Sequence, residues 1–172
     1  MSKALSLLCL LLFSCLPLAQ SPPSDVPASL APPASEKLIL QTHASGVQIY
    51  TCAKSPDGKY AWTLKGPEAE LRDDSGRVVI IHSAGPTWQH KDGSRITGKV
   101  AAKSDAPSSD SVAWLLLTAD HSQSNAGVLS DVTHVQRIHT EGGQPKGTCS
   151  ESAAGSESRS HYTADYLFYA PR

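Results

Sequence analysis

From Lys37 onward, apolar and polar residues alternate in short runs separated by turn residues. Val47-Gln48-Ile49-Tyr50-Thr51-Cys52 alternates and is rich in β-branched and aromatic side chains, the composition of a strand with one covered face. Ser55-Pro56-Asp57-Gly58 is a turn, because Pro presets one dihedral and Gly supplies a positive one. Tyr60 to Leu64 alternates again and is expected to stop at Gly66-Pro67. Asp73 to Gly76 turns the chain into Val78-Val79-Ile80-Ile81-His82, and Asp92-Gly93 turns it into a strand carrying Ile96, Gly98 and Val100 on one side. Val112 to Leu117 is continuously apolar, and its shortness favours a strand covered on both faces. Val132 to His139 sets Thr133, Val135 and Arg137 against Val132, His134, Gln136 and Ile138. Tyr162 to Tyr169 sets Tyr162, Ala164, Tyr166 and Phe168 against Thr163, Asp165, Leu167 and Tyr169. Strands spaced about 8 to 12 residues apart predict an all-β, antiparallel sandwich or barrel-like single domain over 37–172.

The N-terminus follows a different pattern. Lys3 precedes a short apolar run from Ala4 to Phe13, which reads as a signal peptide over 1–19. The run falls short of the roughly 20 apolar residues that span a bilayer. One reading cuts after Ala19 and releases a secreted or periplasmic protein. The other takes Leu12-Phe13-Ser14-Cys15 as a lipobox, which would leave a membrane-anchored lipoprotein lipidated at Cys15. Residues 20–36, rich in Pro, Ser and Ala, read as a disordered linker with too little apolar surface to fold.

Composition narrows the partners. The chain has 15 basic and 16 acidic residues, and this balance argues against a nucleic-acid footprint, which needs a basic face. No second apolar stretch is long enough to cross a membrane, so no transmembrane helix is expected after processing. Asn125 is the only asparagine and is followed by Ala126-Gly127, so no N-glycosylation acceptor exists. Once the leader is gone, Cys52 and Cys149 are the remaining cysteines, and in an exported chain they are expected to pair.

Several motifs together resemble a known family. They are Gly46 to Cys52, Trp62 with Gly66 to Leu71, His82-Ser83-Ala84-Gly85-Pro86-Thr87-Trp88 with Asp92-Gly93-Ser94, Trp114 to Leu117, Val135 to Ile138, Thr140 to Gly143, and Tyr162 to Tyr169. The pattern is similar to an exported family of bacteria and fungi known only as a domain of unknown function. The resemblance covers nearly everything from Lys37 to Tyr169 and implies no established activity.

The best candidate site runs from His82 to Asp92. Gly85-Pro86 would turn the chain sharply and leave Trp88 near a loop tip, with His82, His90 and Asp92 in reach. A tryptophan among polar groups on a turn suits stacking on a sugar ring or another flat ligand. A purely structural alternative makes Trp88 a plug at one end of a barrel and Asp92-Gly93 a hairpin turn. A metal site is not expected, because the seven histidines show no His-x-x-x-His or His-Glu-x-x-His spacing. His134 and His139, five apart, would face opposite sides of a strand. No cofactor is expected, since no Gly-x-Gly-x-x-Gly marks a nucleotide site, and no Gly-x-Ser-x-Gly marks a serine nucleophile. Glu68 and Glu70 share a strand face, and Asp165 is expected to pair with Arg137. The leading expectation is a non-catalytic binding or cell-envelope interaction module, its partner a glycan or another envelope component. The alternative is an exported hydrolase using carboxylates or histidines near Trp88.

Overall fold

A computed structural model describes residues 25–122 and 125–172. The signal peptide, both cleavage readings, Cys15 and the first part of the Pro-rich segment lie outside the described residues. Eight strands follow one another: β1 (Glu36–Lys54), β2 (Tyr60–Arg72), β3 (Val78–Ser83), β4 (Thr87–His90), β5 (Arg95–Ser104), β6 (Trp114–Asp120), β7 (His134–Gly142) and β8 (Glu157–Pro171). Each pairs antiparallel with the next, and β8 pairs back onto β1 from Glu36↔Pro171 to Thr51↔Glu157, closing an up-and-down barrel. Closure removes the unpaired edges that an open sheet would expose.

The alternation sets which side chains point inward. Leu71, Ile80, Trp88, Ile96, Leu117, Val135, Tyr166 and Phe168 meet in the interior cluster. Two expected boundaries move. β2 does not stop at Gly66-Pro67 but runs on to Arg72. Gly66 at φ 150 absorbs the irregularity, and pairing skips from Ile49↔Gly66 to Tyr50↔Leu64. Trp88 is not at a loop tip: it lies within β4, and the pleat directs it inward.

A second apolar cluster sits outside the barrel, next to the described part of the segment 20–36. Over its described part this segment docks. A 3-10 turn at Ala28–Leu30 places Leu30, fully buried, against Trp114, Leu116, Ile138, Leu167 and Tyr169. Gln136 Nε2 donates to the Leu30 carbonyl at 2.7 Å, and the Tyr169 hydroxyl donates to Gln136 Oε1 at 3.2 Å. Leu30 and Val26 in this cluster, the Gln136 hydrogen bond to Leu30 and the His139–Asp25 contact thus hold a stretch whose composition alone could not fold. They also explain the unbroken apolar run in β6: Leu115 and Leu117 face in, while Trp114 and Leu116 face out beneath the N-terminal segment.

Cys52 and Cys149 form a disulfide across a sequence separation of 97. Such a bond is compatible with an extracellular location. Among the described residues, no helix is long and apolar enough to cross a membrane.

Candidate ligand-binding site

The β3–β4 hairpin places His82 opposite Trp88. The two rings stack at 4.7 Å with an 8° interplanar angle, and Tyr166 and Phe168 meet the indole edge-on at 6.0 and 6.2 Å. A Cβ on Gly98 of β5 would come within 2.7 Å of the Trp88 ring, so the absent side chain is what lets the indole lie on that strand. His82 Nδ1 lies 2.8 Å from the Thr87 carbonyl, which can only accept, so Nδ1 carries the proton and Nε2 keeps its lone pair. Burial pushes the His82 pKa down to about 4; the Thr87 hydrogen bond opposes this and the Arg137 charge adds to it. The ring is therefore neutral near pH 7.

Above this stack a cavity of about 240 Å³ opens between the β3–β4 turn and the β2 irregularity. Its apolar wall includes Leu64, Pro67, Val100, Leu115 and Leu117, and its polar groups include Gln48, His82, Tyr166 and Arg137. No Asp or Glu lines it. Two of its residues bury donors without partners, Trp88 Nε1 and Gln48 Nε2. Gln48 lies close enough to Tyr162 to influence that phenol's ionisation, yet its amide nitrogen makes no well-formed hydrogen bond. An unpaired buried donor costs about 1–3 kcal/mol, so such atoms are rare and call for an explanation.

Arg137 and Lys65 are the cations of this lining, and Lys65 is paired with Glu157. Arg137 shares the inward face of β7 with Val135, and it donates Nε and Nη2 to the Ala113 carbonyl at 3.2 and 2.8 Å. It makes no ion pair among the described residues. The expected pairing with Asp165 does not occur, because Asp165 lies on the outer face of β8 while Arg137 points inward. Residue-level signals for this site were present: Arg137 shares a strand face with Val135, and Gln48 shares one with Tyr50 in the run from Val47 to Cys52. Only barrel closure shows that β1, β4, β7 and β8 converge there.

The four sequence-derived candidates divide between the two ends of the barrel. His82 and Trp88 line the cavity. His90 and Asp92 lie at the opposite end, where Asp92 Oδ1 accepts from the Ser94 amide and hydroxyl at 2.8 and 2.6 Å and Oδ2 accepts from the Val128 amide at 2.7 Å. Chiefly the Ser94 hydroxyl, with the Val128 amide next, holds the Asp92 carboxyl far below the usual carboxylate range. Gly127 packs so close to this carboxylate that a Cβ would lie 2.5 Å from it. These contacts fasten the loop that inserts Leu129 and Val132 beneath the core. His90 Nδ1 stands 2.9 Å from Asp92 Oδ1. His90 and Asp92 thus flank a tight turn, in which the Gly93 amide donates to the His90 carbonyl at 3.0 Å.

Asp165 instead joins two histidines on the barrel exterior. Its oxygens lie 2.7 Å from His43 Nδ1 and 2.8 Å from His139 Nδ1, and the far nitrogens reach Asp74 at 3.3 Å and Asp25 at 3.0 Å. His139 reaches this row because β7 is irregular between Ile138 and Glu141, and it adopts φ 48 there. That irregularity brings His134 and His139 to the same outer face, against the expectation from their spacing. Among the described residues, no group of three or more His, Cys, Asp or Glu side chains is arranged to hold a metal. Glu68 and Glu70 pair with Arg159 and Arg72.

Residues 33–170 match the family described as "Protein of unknown function (DUF3455)". The chain belongs to that family. No curated protein and no solved structure matches it.

Proposed function

We propose that this member of the family is a non-catalytic binding module that takes a small ligand into the barrel mouth beside His82 and Trp88. The observation that carries this reading is the pair of buried, unpartnered donors, Trp88 Nε1 and Gln48 Nε2, in residues lining one cavity. An eight-stranded barrel has an interior that side chains can fill or that can hold one small ligand. At about 240 Å³ the cavity is smaller than the roughly 300–1,000 Å³ typical of pockets for drug-sized molecules, so the occupant is small. A buried Trp88 offers no open platform to a polysaccharide, and the apolar wall favours an apolar body over a sugar.

A hydrolase gains no support from the geometry. The carboxylates it would use, Glu68, Glu70 and Asp165, are engaged on the outer face, and none lines the cavity. The proposal also places the protein outside the cell, as a secreted, periplasmic or lipid-anchored module, which the disulfide supports.

Trp88→Phe tests the reading, because it removes the indole N–H and keeps an aromatic ring. A small-molecule screen on the wild type should yield binders that raise its melting temperature, and Trp88→Phe should weaken their binding about fivefold or more, the loss of one hydrogen bond. Binders that bind Trp88→Phe equally well would overturn the placement.

A further inference from the structure

We propose that the ligand of the barrel mouth is a small organic carboxylate, with its apolar body in the cavity and its headgroup on Arg137. This inference rests on the cavity reading above and adds the charge of the occupant. A guanidinium has five N–H donors. Only Nε and Nη2 are engaged, both on the Ala113 carbonyl, so the others have no partner among the described residues. Arginine presents donors in a planar fork that matches a carboxylate.

The rest of the site agrees in sign. Trp88 Nε1 and Gln48 Nε2 are donors without partners, and no carboxylate in the lining neutralises Arg137. The other cation in the lining, Lys65, is already paired with Glu157 at 2.6 Å. The cavity is thus rich in hydrogen-bond donors and holds one uncompensated positive charge. A cationic ligand would meet repulsion there, and a neutral one would leave Arg137 without a counter-charge.

Arg137 also meets water by a second route. A polar groove of about 650 Å³, lined by Tyr50, Lys103, Ser108 and Gln144 among others, shares Arg137 and Leu115 with the apolar cavity. Lys103 and Asp105 both line this approach and offset each other in charge, which leaves Arg137 as its net cation. A carboxylate can therefore reach Arg137 while the attached hydrocarbon stays against Leu117 and Trp88.

The test is calorimetric titration of the full protein with matched pairs: benzoate against benzamide, and cyclohexanecarboxylate against its amide. The expected result is that each acid binds about tenfold or more tightly than its amide, in line with a charge-assisted hydrogen bond. Arg137→Gln should abolish that preference while retaining amide binding, and Arg137→Lys should keep part of it. Equal binding of acid and amide by the wild type would overturn the inference and leave the cavity reading standing. A preference that survives in Arg137→Gln would also overturn it, by placing the headgroup elsewhere. Failure of every probe to bind would remove the cavity reading as well. If Arg137→Gln does not fold, the wild-type comparison and Arg137→Lys decide.

Discussion

Single side chains in this protein do work that their type alone would not reveal. His82 is a core residue kept neutral by burial, and the consequence for pH can be worked out. Its folded pKa, about 4, lies below its ordinary 6.5, so between those values the unfolded chain binds the extra proton. This single group therefore makes stability fall as pH drops from about 6.5 to 4, by on the order of 3 kcal/mol. Denaturation midpoints across that window should show a slope that is smaller in His82→Gln. Trp88 is also part of the core, and Trp88→Ala is expected to lose about 3–5 kcal/mol in a chemical denaturation experiment. The motif from His82 to Asp92 was visible as a cluster in the sequence, but the two ends of that cluster do different things. The eleven residues from His82 to Asp92 run from the cavity to the far end of the barrel, and linear proximity cannot show that. His82 and Trp88 face each other across a ladder, while Asp92 secures a loop some 35 residues further along, a contact that no local pattern encodes.

At the level of elements, the N-terminal segment is a working part of the fold. Leu30→Ala should cost about 2–5 kcal/mol, because it empties a fully buried site on the outer cluster. A second link, from Asp25 through His139 to Asp165 and His43, makes this docking depend on pH. Burial alone would lower the His139 pKa, but its hydrogen bonds to Asp165 and Asp25 raise it, and the Asp165 hydrogen bond raises that of His43. Both folded values lie above 6.5, so their stabilisation is complete below that pH and is lost as pH rises through the folded values. Hydrogen exchange over residues 25–31, corrected for intrinsic rates, should therefore be faster relative to the intrinsic rate at pH 9 than at pH 6. Asp25→Asn should reduce the difference. The strands themselves were largely legible, because alternation and turn residues are local signals. The docked segment was not, since its Pro, Ser and Ala content conceals one decisive leucine. The counterpart signal lay in β6 and β8: Trp114, Leu116, Leu167 and Tyr169 face outward and must be covered by something.

At the scale of the whole molecule, closure of β8 on β1 turns an alternating pattern into an interior with a mouth. The disulfide restrains the same architecture, tying β1 to the segment before β8. A closed loop of this size stabilises by roughly 4–5 kcal/mol in the chain-entropy treatment, so reduction should lower the melting temperature markedly. A melting temperature unchanged by reductant would show that the barrel holds without it. The closed barrel also determines function as proposed here, because it gathers Gln48, Trp88, Arg137 and Tyr166 from four strands around one cavity. The three indoles provide internal controls. Trp62 Nε1 donates to the Gly147 carbonyl at 3.0 Å, Trp114 Nε1 is unpartnered in the outer cluster, and Trp88 Nε1 is unpartnered in a residue lining the cavity. The most direct measurement is a titration of the nitrogen-15-labelled protein with benzoate, following the three indole N–H resonances, with Trp88→Phe assigning its own. Ligand binding beside Trp88 predicts that its resonance moves saturably while those of Trp62 and Trp114 stay in place. A Trp88 resonance that stays fixed, or saturable shifts confined to Trp62 or Trp114, would contradict it.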